Sequence, residues 1–255
     1  MPDTANNQMP GFIYPDWPAP SHVKSVMTTR EGGVSAHPYT TLNLGTHVGD
    51  LPEHVAHNRH LLTQKLALPK APLWLNQVHG VDIADHSLSR DGCDADAVIS
   101  RNAHEVCSIM TADCLPVLFC NRQGDVVAAA HAGWRSLKNG LLEKCVASMN
   151  CDEGEILVWL GAAIGPSAFE VGEEVREAFL SVHSASAAAF VKNGTKEGKW
   201  LADIYTLARI HLTAASVETQ NIYGGGRCTF TEDSLFFSYR RENRTGRMAS
   251  LIWLA

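Results

Sequence analysis

The sequence lacks several patterns that would each point to a particular class of protein. No apolar run approaches the ~20 residues of a membrane-spanning helix. Residues 1–20 have neither the basic nor the apolar stretch of a signal peptide, and we expect them to form an extended lead-in. With a formal net charge of −6, the chain also lacks the basic excess typical of nucleic-acid-binding proteins. We therefore expect a cytoplasmic protein with no membrane or nucleic-acid partner, and the sequence leaves open whether it is a monomer or a homodimer.

Paired cysteine motifs are also absent. The seven cysteines are an odd number, and no two of them form a C-x-x-C pair. A disulfide framework or a zinc ribbon would need paired cysteines, so this pattern favours reduced, buried thiols.

The order of helical and strand-like segments predicts the fold class. Helical patterns cover 51–68, about 135–149, 166–182 and the segment after Asp203, which can cap its helix. Short apolar strand-like runs occur within 105–120 and 124–134, then at 155–165 and 250–255. We expect the runs within 105–120 and 124–134 to be neighbouring buried strands. No repeat or linker divides the chain, which favours one domain over residues 1–255. The pattern predicts an α+β fold, a layered α/β sandwich, without fixing the strand order.

The helical segment 51–68 places a charged residue on its apolar stripe. Val55, Leu62 and Leu66 form the stripe, and Arg59 occupies the position four residues after Val55. A guanidinium buried without a partner would be costly. Two interpretations remain open: Arg59 reaches solvent at the edge of the stripe, or it points into a site and binds an anion.

Three short segments each place a possible metal ligand beside turn residues. LNQVHG (75–80), TADCLP (111–116) and HAGWRS (131–136) contribute His79, Cys114 and His131. Zinc prefers such nitrogen and sulfur ligands, and a catalytic zinc keeps three protein ligands and one open position. The separations match no zinc-finger pattern, so spacing alone leaves open whether the three residues converge.

These segments resemble the signature of the multicopper polyphenol oxidase, or laccase-domain, family, whose members are also described as purine nucleoside phosphorylases. The likeness continues in order along nearly the whole chain, through MTTREGGVS (27–35), LNLGTHVGD (42–50), VAHNRHLL (55–62), DADAVIS (94–100), IGPSAFEVGEEV (164–175) and FFSYRRENRTGRMA (236–249). The resemblance implies an α+β sandwich without separate domains, and a cleft in which His79, Cys114 and His131 bind zinc. Ser136 and Ala162 depart from the family pattern, but neither is a metal ligand.

The resemblance further implies phosphorolysis of adenosine, inosine, guanosine and methylthioadenosine, and deamination of adenosine. Zinc suits deamination at C6 of adenine because it lowers the pKa of bound water towards ~7. Phosphorolysis needs a phosphate site, and the planar fork of arginine binds phosphate oxygens in bidentate fashion. We therefore expect a purine nucleoside and phosphate as the small-molecule partners.

In addition to Cys114 and His131, which are candidate catalytic residues, further residues are candidates for roles in this chemistry. Arg59 is the main candidate for holding phosphate or ribose, and Arg135 is the second candidate. Asn43 and Gln77 carry amides that can read a purine edge or ribose hydroxyls, or can cap turns. Asp113 is the candidate for proton transfer. The arginines near the C-terminus are expected to form a solvated face with structural ion pairs: Arg240, Arg241 and Arg247.

Other functions also remain open. Cys114 activated by His131 would make a cysteine hydrolase that acts on a cell-wall precursor or another amide. Copper in place of zinc would permit polyphenol oxidation, although the chain has no His-x-His motif of the kind that multicopper sites commonly use. A third alternative is a non-catalytic protein that only holds a metal or a ligand.

Overall fold

The computed structural model describes residues 11–193 and 196–255, so the first ten residues of the expected extended lead-in lie outside the described residues. The strands are, in chain order, β1 (Phe12–Ile13), β2 (Val23–Thr28), β3 (Ile83–Asp85), β4 (Ala97–Ser100), β5 (Cys107–Thr111), β6 (Leu115–Asn121), β7 (Val127–Ala132), β8 (Ile156–Leu160), β9 (Glu170–Gly172), β10 (Phe190–Lys192), β11 (Lys199–Ala202), β12 (Ile222–Gly224) and β13 (Met248–Leu254). The α-helices are α1 (Pro52–Lys65), α2 (Trp134–Lys138), α3 (Leu141–Met149), α4 (Glu173–Leu180), α5 (Ile204–Ala214) and α6 (Tyr239–Glu242). No helix in the described ranges combines the length and apolar character that crossing a membrane requires.

The strands form three sheets that fix the architecture. A four-stranded sheet has the order β1-β2-β13-β5, and a six-stranded sheet has the order β12-β8-β6-β7-β4-β3. A small third sheet has the order β10-β11-β9. Within the six-stranded sheet, β3 and β4 pair in parallel, as do β12 and β8, and the other neighbours are antiparallel. One mixed sheet and two antiparallel sheets, packed with helices, confirm the predicted α+β class.

Alternating side chains along the central strands divide the interior into layers. Along β6, Val117 and Phe119 belong to the apolar cluster shared with α3 and α5. Leu118 and Cys120 instead join the cluster shared with the four-stranded sheet. Successive side chains of a strand point to opposite faces, so a strand covered on both sides is apolar throughout, as the wholly buried β6 is. A third cluster, which includes Leu62 of α1, covers the other face of the four-stranded sheet.

Several local predictions are confirmed. The Asp203 carboxylate caps α5 by accepting hydrogen bonds from the amides of Tyr205 and Thr206, at 3.0 and 3.2 Å. Helix α1 lies within the predicted 51–68, with Val55 and Leu62 buried. Strands β6 and β7 are antiparallel neighbours, and the C-terminal run lies in β13. All seven cysteines are free.

Other elements differ from the sequence-based prediction. The run at 105–120 contains strands of two different sheets, because the chain crosses from β5 to β6 at residues 112–114. The helix predicted at 135–149 is broken into α2 and α3 at Gly140, which has a φ of +88°. The helix predicted at 166–182 begins only at Glu173, because residues 170–172 pair with β11 as strand β9.

Candidate active site

His79, Cys114 and His131 converge from three separate parts of the chain. His131 lies in β7, Cys114 ends the crossing between β5 and β6, and His79 lies in the loop before β3. One ligand atom from each residue lies within 4.8 Å of the other two. The sequence left open whether the residues meet, and the structure brings them together as a group that can hold a metal ion.

Unusual backbone conformations direct the two loop ligands. His79 has a φ of +59°, and Asp113, immediately before Cys114, has a φ of +93°. Such left-handed conformations are uncommon for residues other than glycine and concentrate at functional sites. The Asp113 carboxylate accepts hydrogen bonds from the Thr229 hydroxyl and the Arg240 amide, both at 2.6 Å. These contacts fix the turn that presents Cys114.

Asp96 positions two of the ligands at once. It is fully buried, and its Oδ1 accepts hydrogen bonds from His131 Nδ1 at 2.8 Å and from the His79 amide at 3.0 Å. Its Oδ2 accepts the Gly80 amide at 2.5 Å. A carboxylate behind a histidine ligand fixes the tautomer and orientation of the ring. Because Asp96 takes Nδ1, His131 has Nε2 left for a metal ion.

Strand pairing explains how Asp96 reaches this position. Strands β4 and β7 are antiparallel with Ala97 opposite Ala130, and the His131 amide donates to the Asp96 carbonyl at 2.7 Å. Sequence analysis included Asp96 in the matched DADAVIS segment but gave it no role. The sequence does contain a signal for Asp96, because this aspartate directly precedes an apolar strand. A carboxylate buried there needs several hydrogen-bond donors.

The space between the ligands fits an ion. A Cβ placed on Gly133 would lie 2.9 Å from His79 Nδ1 and 3.2 Å from Cys114 Sγ, so a larger residue there would push into the ligand group. Two imidazole nitrogens and one sulfur are a donor set suited to borderline and soft metal ions. The residues therefore fit a metal that accepts nitrogen and sulfur ligands.

The charges of this group depend on one another. Burial by itself would lower the pKa of His131, but the Cys114 sulfur and the hydrogen bond to Asp96 raise it to about 9. Burial would raise the pKa of Asp96, whereas hydrogen bonds from His131 and the amides of His79 and Gly80 lower it. Partial burial and the neighbouring His131 lower the pKa of His79. A bound metal would replace the proton that His131 carries in the metal-free protein.

The ligand group opens into a pocket of about 530 Å³. This volume lies within the range of about 300–1,000 Å³ that is typical of small-molecule sites. The lining combines apolar, aromatic and cationic side chains: His47, Gln77, His79, Met110, Ala112, Asp113, Cys114, His131, Trp134, Arg135, Ile164, Phe169, Ile204, Tyr239, Arg240 and Arg247. The pocket can thus accept a molecule with an apolar ring and an anionic group.

Three of the predicted contact residues line the pocket. The Gln77 amide is already engaged, because it donates to the Met110 carbonyl and accepts from the Met110 amide, each at 2.8 Å. Arg135 is exposed, and its guanidinium lies 4.4 Å from the centre of the Trp134 ring. Asp113 lines the pocket with both carboxylate oxygens bonded as described above.

The two other predicted contact residues lie outside the pocket lining. The Arg59 guanidinium lies 4.1 Å from the centre of the Trp74 ring, and its Nε donates to the Leu44 carbonyl at 3.0 Å. In the structure these are the partners of its guanidinium, and anion binding by Arg59 stays a prediction. Asn43 is fully buried, and its Oδ1 accepts the Arg247 amide at 2.9 Å. Asn43 therefore positions the backbone of a pocket residue and does not face the pocket.

Arg247 is one of three arginines in the pocket lining, together with Arg135 and Arg240, and its surroundings differ from those predicted. It was expected on a solvated face with ion pairs, but it is mostly buried and forms no ion pair within 11–193 and 196–255. Burial lowers its pKa, against the opposing effects of Cys114 and Asp113. Its Nη1 donates to the carbonyls of Thr245 and Gly246 at 3.1 and 3.0 Å. The remaining guanidinium donors are available to an anion in the pocket.

Comparison with known proteins identifies the family. A family model described as multi-copper polyphenol oxidoreductase laccase matches residues 24–255. The chain belongs to this family. It is 53% identical over 251 residues to purine nucleoside phosphorylase YfiH of Escherichia coli, covering 96% of this chain and all of that protein. It is 52% identical over 246 residues to a purine nucleoside phosphorylase of Pseudomonas aeruginosa, covering 96% and 99% of the two chains.

Solved structures of family members share the fold. A Neisseria meningitidis protein, NMB0706, is 48% identical, with a TM-score of 0.90 over 96% of this chain and 99% of its own. The YlmD protein of Geobacillus stearothermophilus is 28% identical, with a TM-score of 0.87 over 99% of both chains. The layered architecture is therefore that of the family.

Proposed function

We propose that the protein is a zinc-dependent purine nucleoside phosphorylase. Its substrates would be adenosine, inosine, guanosine and methylthioadenosine, with phosphate as the second substrate. The observation that carries the proposal is that the ligand group and the partly buried cation Arg247 line the same pocket, whose wall is largely apolar. The names of relatives more than half identical to the chain support the same activity.

The cationic side of the pocket suits phosphate. In phosphorolysis, a phosphate oxygen forms a bond to C1′ of the ribose while the bond from C1′ to the base breaks. The electron pair of that bond goes to the purine nitrogen, and the base takes up the proton that hydrogen phosphate loses in the reaction. Arg247 would hold the phosphate through charge-assisted hydrogen bonds, which are strengthened by its burial. Arg135, at the exposed rim, would be a second contact.

The apolar side of the pocket suits the base. Trp134, Phe169 and Ile164 present ring and aliphatic surfaces among the lining residues. A flat purine buries most of its area against such surfaces, which contribute roughly 25 cal/mol per Å² of apolar surface removed from water. This arrangement would orient the nucleoside and exclude water from the ribose, so that phosphate is the nucleophile.

Zinc is the proposed metal because the His79, Cys114 and His131 donor set has the composition of three-ligand catalytic zinc sites. When bound, zinc supplies Lewis acidity at its open position, which is also the chemistry required for the proposed deamination of adenosine. Asp96 would keep the His131 ring oriented, and Gly133 would leave the space between ligands open. We assign Asp113 to positioning Cys114, because both carboxylate oxygens accept hydrogen bonds.

Chromatography of the products from the four nucleosides tests the proposal. Zinc-loaded protein should release the free base only when phosphate is present, and inosine should appear from adenosine if the deaminase activity is also correct. Boiled protein and protein stripped of metal by a chelator are the controls. Intact nucleosides under every condition would overturn the proposed activity.

A cysteine hydrolase is the second candidate, because one arrangement favours it. Cys114, His131 and Asp96 lie in series: Asp96 bonds one ring nitrogen of His131, and Cys114 interacts with the other side of the same ring. This order of nucleophile, base and carboxylate is the order used in cysteine and serine hydrolases. Metal-free protein that hydrolyses an amide, and loses this activity when iodoacetamide modifies Cys114, would favour the hydrolase.

A further inference from the structure

A second group of possible metal ligands lies in the helical layer. Glu143 lies in α3, His183 follows α4, and His211 lies in α5. One ligand atom from each lies within 4.8 Å of the other two. None of the three is among the residues that line the pocket described above. The group is therefore separate from the proposed active site.

The contacts within this group centre on one carboxylate. Glu143 Oε1 lies 2.6 Å from His211 Nδ1 and 3.7 Å from His183 Nε2. The two imidazole rings meet edge to face, with centroids 4.8 Å apart and an interplanar angle of 84°. One carboxylate and two imidazole nitrogens thus lie within 4.8 Å of one another, and they come from three different segments of the chain.

Two polar atoms of the group are buried with no hydrogen-bond partner in the described chain. They are Glu143 Oε2 and His211 Nε2, and His211 is wholly buried. Buried polar atoms normally have hydrogen-bond partners. If the three side chains formed only a hydrogen-bonded cluster, these two atoms would be expected to have partners as well. The carboxylate therefore keeps an oxygen whose lone pairs a cation can use.

The group is reachable from solvent. The His183 side chain is 28% exposed and contributes to a surface groove of about 550 Å³ between the segment after α4 and helix α5. A cation can enter from this groove without unfolding the helices. The groove lining also includes Arg209, which disfavours a large cationic ligand.

We propose that Glu143, His183 and His211 bind a second zinc ion, which links α3 and α5 to the segment after α4. Zinc accepts two imidazole nitrogens and one carboxylate oxygen as ligands. Binding at His211 Nδ1 would break its hydrogen bond to Glu143 Oε1, because the ligand atom must be deprotonated, and the ring proton would move to Nε2. The groove beside the site is lined only by partly or fully exposed residues and encloses no buried space for a substrate, so the proposed role is stabilisation of the helical layer.

Zinc counting on the full-length protein tests the proposal. Protein stripped with a chelator and dialysed against zinc should hold two zinc ions per chain. His183→Ala should hold one, Cys114→Ala should hold one, and the double variant should hold none. His57→Ala, at an exposed position of α1, is the matched control and should hold two. His183 is partly exposed, so its substitution is expected to leave the fold intact.

Cobalt provides a second readout that separates the two sites. A site with a thiolate ligand gives sulfur-to-metal charge-transfer absorption, whereas a site with only nitrogen and oxygen ligands does not. Cys114→Ala loaded with cobalt should keep visible absorption but lose the charge-transfer band. Zinc should raise the Tm of Cys114→Ala by at least about 3 °C, and this rise should vanish in the double variant.

The opposite results would overturn the second site. One zinc ion in the unmodified protein, none in Cys114→Ala and no cobalt absorption in that variant would show that the group is a hydrogen-bonded cluster only. Two zinc ions retained by His183→Ala would show that the second ion binds elsewhere. These outcomes do not depend on nucleoside turnover, so they stand apart from the proposed function.

Discussion

The described part of the chain contains two groups of three candidate metal ligands, and the surroundings of the two groups differ. We call them the pocket group (His79, Cys114 and His131) and the helix group (Glu143, His183 and His211). The pocket group lies at strand ends and loops, and it opens into a pocket with apolar walls and a buried arginine. The helix group lies between helices beside a surface groove. In both groups the ligand atoms lie within 4.8 Å of one another, so the neighbouring space and charge, not the ligand spacing, are what favour a catalytic role for the pocket group.

The two groups also use carboxylates differently. In the pocket group, Asp96 stands behind His131 and orients it, leaving the metal position to nitrogen and sulfur. In the helix group, Glu143 is itself a proposed ligand and directly contacts His211. Three oriented protein ligands, which leave one position for water or substrate, suit a catalytic metal. A carboxylate ligand that links helices suits a metal that stabilises the fold.

The largest expected effect comes from removing the sulfur of the pocket group. Cys114→Ala should lower phosphorolysis by at least about 100-fold, because a metal contributes several kcal/mol and each 1.36 kcal/mol is a factor of ten. Initial rates of base release and zinc content measure both consequences. Cys151→Ala, a cysteine outside the pocket lining, is the control and should retain activity. An active, zinc-free Cys114→Ala protein would contradict the assignment.

The next effect concerns which arginine holds phosphate. Arg247→Met should raise the KM for phosphate by about 10- to 100-fold, because a hydrogen bond to a charged group contributes about 1.5–3 kcal/mol. The KM for nucleoside should change much less. Arg59→Met should lower stability through loss of its contacts with Trp74 and Leu44, while the phosphate KM stays within about threefold. If Arg59→Met shows the larger change in phosphate KM, the geometric assignment is wrong.

A smaller effect is expected from the carboxylate behind the pocket group. Asp96→Asn keeps the size of the side chain but places an amide where backbone N–H groups now donate. We expect zinc affinity to fall by about 10-fold or more, since such supporting contacts are worth about 10–100-fold. Competition with a zinc-binding dye measures the affinity. An unchanged affinity would mean that Asp96 supports the fold alone.

The smallest effect on turnover should come from the helix group. His183→Ala should leave the rate of phosphorolysis within about twofold, while the Tm measured in zinc falls by at least about 3 °C. Thermal unfolding followed by circular dichroism, with and without chelator, measures the difference. A large loss of turnover with an unchanged Tm would remove the proposed distinction between the two groups.

Local sequence signals predicted some elements well and others poorly. The Asp203 cap, the apolar β6 and β7, and the C-terminal strand depend on neighbouring residues and are confirmed. Strand β9 was read as helix because its partner β11 lies about thirty residues further along the chain. The order of the strands depends on such distant pairings, which the pattern of a single segment does not contain.

In the candidate site, too, contacts between distant segments could not be predicted from the pattern of a single segment. The resemblance identified the pocket group, and the structure brings its three residues together. The apolar stripe suggested an anion partner for Arg59, but the Trp74 ring supplies the partner through tertiary packing. Asp96 reaches His131 only through the pairing of β4 with β7. Arg247 looked like one of several C-terminal charges, because its burial depends on loops far away in sequence.

The most direct test of the central claim is to identify the atom that replaces the purine at C1′. Inosine is incubated with zinc-loaded protein and phosphate in water enriched with ¹⁸O, and the sugar product is examined by phosphorus NMR and mass spectrometry. Our account predicts ribose 1-phosphate without ¹⁸O at C1′, formed in equal amount to free hypoxanthine. Free ribose in place of ribose 1-phosphate, formed in equal amount to hypoxanthine, would show hydrolysis by water and would contradict the account.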